Sequence, residues 1–156
     1  MFTRWKALSS EPIDKDVALL VIRLGIGFSM AAFHGYGKIS GGPEMWERVG
    51  GAMAVLGIGF APVLWGFLAA VAEFVCSILL ILGALFRPAA AMLAFTMFVA
   101  VMRHLSLPPE SPNSGWNGAS HALELLCVYV GLLLAGPGRY AFSLIRRPPE
   151  PAAGGR

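Results

Sequence analysis

PVLWGFLAAVAEFVCSILLILGALF, residues 62–86, is 25 residues of chain with a single charge, Glu73. As a helix it would measure roughly 37 Å, enough to cross the ~30 Å hydrocarbon core of a bilayer. Three more apolar runs lie on either side of it. Residues 17–33 carry Arg23 as their only charge, residues 88–102 carry none, and residues 119–137 contain His121 and Glu124. In hydrocarbon the backbone must satisfy its own hydrogen bonds, which favours helices. The fold class expected is all-α, an integral membrane four-helix bundle.

The composition agrees. Hydrophobic residues make up 56% of the 156 and charged residues only 13%, against roughly 25% charged in a soluble domain. Mean hydropathy is +0.68. That excludes an ordinary cytosolic enzyme and a disordered chain. The net charge of +3 is small and dispersed, so no nucleic-acid partner is expected. The lipid bilayer is the first partner implied.

Punctuation sets the boundaries. Arg87-Pro88 reads as a tight turn between the second and third runs, since Pro suits a helix start. The third run is short and needs Leu85, Phe86 and residues 103–105 to cross. The Pro- and Ser-rich stretch 107–115 reads as an extramembrane loop, and Gly136-Pro137-Gly138 stops the last helix. Between the first two runs, Trp46, Val49, Met53, Leu56 and Phe60 recur at helical spacing. They predict an amphipathic helix lying in the outer interface, with Trp46 near the headgroups. The first run has no cleavage signature and reads as a retained span. The organisation is a cytoplasmic N-terminal segment (1–16), a four-span domain (17–140) and a flexible cytoplasmic tail (141–156).

Orientation follows from the basic residues. Arg4, Lys6, Lys15, Arg87, Arg139, Arg146, Arg147 and Arg156 fall on one side, and Lys38, Arg48 and Arg103 on the other. The excess assigns both termini to the cytoplasm, in a multi-pass protein of the cell's inner membrane.

Charges at membrane depth are expensive and usually paired. Counting from the ends of the runs puts Arg23 and Glu73 at similar depth, so an intramembrane Arg23–Glu73 ion pair is expected, functional or register-fixing. The three histidines, His34, His104 and His121, lie at the outer ends of spans, with Lys38, Asn117 and Glu124 at similar depth. Asn117, His121 and Glu124 follow i, i+4, i+7 spacing and share a helix face. Together these six form a candidate polar pocket. Imidazole titrates near neutral pH and can exchange a proton with a quinone carbonyl. Two or three histidines with Glu124 are also competent to ligate a metal, and two of them a haem. No two histidines have the helical spacing of a strong metal signature. Cys76 and Cys127 differ by roughly 9 Å in depth and read as packing residues, not a disulfide. Glu73-x-x-Cys76 and Glu124-x-x-Cys127, with Phe28-x5-His34 and Phe98-x5-His104, suggest a duplicated hairpin that would draw both glutamates toward the bundle centre.

In their order and spacing several motifs resemble the DoxX family of small four-helix membrane proteins. They are Arg23-Leu24-Gly25-x-Gly27, His34-Gly35-x-Gly37-Lys38, Ala72-Glu73, Leu82-Gly83-Ala84-Leu85-Phe86-Arg87, His104, Glu124, and Gly136-Pro137-Gly138-Arg139-Tyr140. The likeness spans residues 17–140. Two departures touch the subfamily: Phe74-Val75-Cys76-Ser77 stand where the family commonly has small glycines, and Ala141-Phe142-Ser143-Leu144 lacks the family's terminal acid. The resemblance implies a membrane subunit of a quinone-linked oxidoreductase system, with His34, Lys38, His121 and Glu124 as polar contacts to a quinone or redox partner. The competing expectation is a non-catalytic accessory subunit packed against a larger membrane complex. Small size, Gly25 and Gly27, and the absence of a cofactor motif suit it. Either reading implies other membrane subunits or a homo-oligomer.

Overall fold

The computed structural model describes residues 14–142. Most of the expected terminal segments, with Arg4, Lys6, Arg146, Arg147 and Arg156, lies outside the described residues. Asp14 starts the first helix, α1 (Lys15–Ser40), by accepting from the amides of Asp16 (2.9 Å) and Val17 (3.1 Å). The Val17 amide above all, with Asp16 and Arg139, holds the Asp14 carboxyl below its ordinary value. Arg139 also reaches Asp14 at 2.9 Å, while its own amide donates to Asp16 at 3.0 Å. The start of α1 is thereby tied to the turn after the last helix.

The 26 residues of α1 do not end with the apolar run at residue 33. The helix passes through a π-helical turn (Met30–Gly35) and on through Lys38. A short helix α2 (Gly42–Gly50) and a 3-10 segment (Gly51–Leu56) come next, ended by left-handed Gly57. Then come α3 (Pro62–Leu82), α4 (Phe86–Leu105) and α5 (Gly115–Ala135). Helices α1, α3, α4 and α5 are each long and apolar enough to cross a membrane. In α4, Phe86 and residues 103–105 are helical, which gives the short third run its crossing length. Phe28, Phe33, Phe60 and Leu134 are each more than 60% exposed, a surface suited to lipid and not to water. The protein is an all-α membrane bundle.

The amphipathic segment is helical as expected, but its apolar face turns onto α3. Backbone meets backbone there: a Cβ on Gly50 would overlap Pro62, and one on Gly66 would overlap Trp46. The Trp46 ring packs edge-on against Phe67 with centroids 4.9 Å apart. The turn between α3 and α4 also differs from expectation. It is built by Gly83-Ala84-Leu85, with φ of 75° at Gly83 and 44° at Leu85. Pro88 instead sits in the first turn of α4, where its missing N–H deprives no partner.

The core runs along α4 and α5, where Ala90, Leu93 and Met97 face Ala122, Leu125 and Tyr129. Alanines on both helices let the backbones approach closely, as packing in lipid requires.

Arg23 is 1% exposed and has no carboxylate partner among the described residues. Its Nε donates to the Leu80 carbonyl (2.9 Å), Nη2 to Ile81 (2.7 Å), and Nη1 to Pro137 (2.7 Å) and Tyr140 (3.1 Å). Leu80 and Ile81 belong to the last turn of α3, where carbonyls run short of helical partners and carry the negative end of the helix dipole; the Leu80 carbonyl also accepts from the Gly83 amide at 3.2 Å. The expected Arg23–Glu73 pair does not form. A depth counted from His34 is too shallow, because α1 continues six residues further, to Ser40, or about 9 Å. Arg23 therefore lies level with the end of α3, and Glu73 is seven residues, about 10 Å, away along it.

Substitutions at three positions test this packing. Gly66→Ala forces α2 off α3 and should cost about 1–3 kcal/mol, read as a lowered unfolding midpoint in detergent. Gly37→Ala, which meets nothing within 4 Å, should leave the midpoint in place. Arg23→Leu removes four hydrogen bonds and should destabilise by several times the ~1 kcal/mol of one hydrogen bond. Arg23→Lys, which keeps the charge but not the fork, should fall between.

Candidate functional site

The π-turn of α1 crosses a second π-turn in α3 (Ala72–Cys76). Their contact is backbone to backbone, since a Cβ on Gly35 would come within 2.6 Å of the Glu73 carbonyl group. Such turns gather at functional sites because the extra residue redirects side chains. Here it brings Lys38 and Glu73 together. Lys38 Nζ lies 2.6 Å from Glu73 Oε1 and 2.5 Å from Oε2. Glu73 is 3% exposed and Lys38 28%. The carboxylate takes two of the three ammonium protons, leaving one for another acceptor. The Trp46 indole N–H holds the Lys38 carbonyl at 2.8 Å, fixing the end of α1 over the pair.

The pair forms the polar wall of an open-sided cavity of about 400 Å³ lined by the end of α2, the 3-10 segment, α3 and α4. Met53, Trp65, Met92 and Phe95 are among the apolar walls. Met92 and Phe95 belong to the exposed face of α4, so the cavity lies beside the lipid-facing surface of the bundle. The Trp65 indole N–H is buried and finds no acceptor among the described residues. The Ser77 and Tyr129 hydroxyls, in the core, are likewise without partners, and Tyr129 is within electrostatic reach of Glu73.

The six residues expected to converge divide into separate groups. Lys38 faces the cavity. His34 and His121 come together across α1 and α5, with ring centroids 5.6 Å apart, and His34 lies within electrostatic reach of both Glu73 and Lys38. His104 Nδ1 donates to the Asn113 carbonyl at 2.7 Å, closing the loop after α4. Asn117 and Glu124 are exposed on α5. The repeat that matched Glu73 with Glu124 does not bring the two acids together. Glu73 and Cys76 are buried, whereas Glu124 and Cys127 are exposed. The π-turn around Glu73 inserts a residue and rotates the remainder of α3 by about 100° relative to an unbroken helix such as α5.

Sequence reasoning missed Glu73 as the partner of Lys38, and Trp65 altogether. Both halves of the ion pair lie in motifs that stand out in the sequence, but only a helix continuing past His34 makes them neighbours. Among the described residues no three His, Cys, Asp or Glu side chains gather as a metal centre needs.

Lys38→Met leaves a buried carboxylate without its cation and should destabilise the protein by about 3–5 kcal/mol. The double variant Lys38→Met, Glu73→Met should recover most of that loss, because the costly element is the orphaned charge. Thermal or denaturant unfolding in detergent would measure both. A double variant no better than the single one would contradict a paired role.

Comparison with known proteins bears on the same region. The family model described as DoxX matches residues 18–105, from the first turn of α1 to the end of α4, with Lys38, Glu73 and Trp65 inside the match. No curated protein and no solved structure matches the chain. The match covers more than half of the chain and takes in three of its four candidate spans: the protein belongs to the DoxX family.

Proposed function

We propose that this DoxX-family membrane protein is the membrane subunit of a quinone-linked oxidoreductase system, and that the cavity beside Lys38 and Glu73 receives the quinone head. Its setting would be the cell's inner membrane, with both termini cytoplasmic, as the distribution of basic residues favours. The observation that carries the reading is a lipid-level apolar cavity with one buried ion pair in its wall. Its volume, about 400 Å³, falls within the roughly 300–1,000 Å³ of small-molecule sites, which are mostly apolar with a few convergent polar groups.

The residues present suit the group. A quinone carbonyl needs donors, and the cavity offers the third proton of Lys38 Nζ. The unpartnered Trp65 indole N–H is a second donor for an acceptor seated against that edge of the ring. A bound quinone would supply two-electron, two-proton chemistry. Lys38 orients the carbonyl and offsets negative charge that builds on it, while Glu73 keeps the ammonium in position. His34, within electrostatic reach of the pair, and His121 beside it extend the titratable groups toward the outer face of α5. Met92, Phe95 and Met53 keep water from the head and accommodate an apolar substituent.

A short-tailed benzoquinone titrated into the full chain in lipid nanodiscs tests this reading. Saturable binding that weakens at least tenfold in Trp65→Phe and in Lys38→Arg is expected, with His104→Ala unchanged. Equal affinity in both cavity variants, or no saturable binding, would overturn it. A stoichiometric partner subunit that alone carries the quinone would favour the accessory role instead.

A further inference from the structure

The lipid-facing side of α5 carries a polar stripe that no described residue of the chain covers. Asn117, His121 and Glu124 are all exposed, and Glu124 has no ion-pair partner among the described residues. Glu124 lies nine residues along the 21 of α5, about 14 Å into a helix of about 31 Å. A carboxylate at that depth facing hydrocarbon is among the costliest arrangements in a membrane, and such groups face protein or water. Something must cover this face.

We propose that the cover is a second copy of this chain, meeting the first along α5 about a twofold axis normal to the membrane. All copies insert in one orientation, so two α5 helices related by that axis run parallel and each residue faces its own counterpart. His121 stands one turn above Glu124, a rise of about 4.5 Å. Each Glu124 can therefore reach the His121 of the other copy, giving two equivalent carboxylate–imidazole contacts. The stripe is complementary to itself, holding one acid and one base per chain at one turn's separation. His34, its ring tilted against that of His121 with centroids 5.6 Å apart, brings α1 to the rim of the same face.

The surface further along supports close approach. A groove between α1 and α5 contains Gly25 and Gly131, bordered by Val21, Ile22 and Val128. Both glycines are exposed, and nothing lies within 4 Å of a Cβ built on either. Leu134, 75% exposed on the next turn of α5, is a large apolar side chain on the same helix that a neighbouring copy would cover. Small residues of this kind let membrane helices pack backbone to backbone. This interface does not rest on the quinone reading, since its test reads association and no residue lining the cavity lies on α5.

A native thiol reports on this face. Cys127 is exposed one turn beyond Glu124, and Cys76 is the only other cysteine. In membranes containing the full chain with Cys76→Ala, copper-phenanthroline oxidation should yield a disulfide-linked product of twice the 16.6 kDa chain. In the otherwise native protein, light scattering in mild detergent should give a dimer mass. Glu124→Gln and His121→Ala should each raise the dimer's dissociation constant at least tenfold while the unfolding midpoint of the separated chain stays unchanged. A monomer mass for the native protein would overturn the proposal. So would Cys127 cross-linking to a chain of another mass, or a dimer indifferent to both substitutions.

Discussion

One guanidinium, buried with no counter-charge among the described residues, holds three parts of the chain in register. Arg23 projects from α1 onto the last carbonyls of α3 and onto the turn after α5. Helix ends are where backbone acceptors run out of partners, and in a bilayer no water reaches the interior to supply them. A forked cation with five donors is suited to that shortage, because it meets several oxygens while the helix dipole stabilises its charge. From this level α1 runs on against α3, meeting it again at Gly35. Its far end passes over the middle of α3, and Lys38 arrives at Glu73.

The Lys38–Glu73 pair joins the same two helices a second time, away from the Arg23 anchor. The two residues meet where two π-turns cross at Gly35, and the crossing is close because Gly35 puts no side chain between the α1 backbone and that of Glu73. The pair is not symmetric: Glu73 is enclosed, whereas Lys38 keeps an open side toward the cavity. A buried pair of charges adds little to stability when compared with apolar packing of the same volume. Its presence beside an apolar cavity, inside the region matched by the DoxX family, gives it a different significance from Arg23, which is walled in by backbone.

Much of the architecture is legible in the chain itself. The four apolar runs, the loop at 107–115 and the stop at Gly136-Pro137-Gly138 reflect composition and local backbone preference, and both survive in the fold. The amphipathic segment around Trp46 is legible as a helix but not in its docking, because Gly50 and Gly66 signal a close contact without naming the partner. The site is less legible. Counting residues from the apolar boundary ends α1 at His34, when a helix does not have to stop where its hydrophobicity stops. That difference of six residues exchanges Arg23 for Lys38 as the partner of Glu73. The apparent duplication fails for a related reason, since a π-turn shifts one helix face relative to the other while leaving the spacing in the sequence intact.

Composition by itself determined that this chain lives in a bilayer, and the few charges in its apolar runs determined where to look. Hydrocarbon imposes those conclusions on any sequence, whatever its packing. Which charge meets which was decided only by the tertiary structure. Arg23 and Glu73 stand out together as two costly groups, and the fold satisfies them separately, one with carbonyls and one with a lysine. The distinction between Glu73 and Glu124 belongs to the same level. Both are acids in apolar helices with a cysteine three residues on, but the backbone twist around Glu73 turns it inward onto a cation, and the regular helix around Glu124 leaves it facing out.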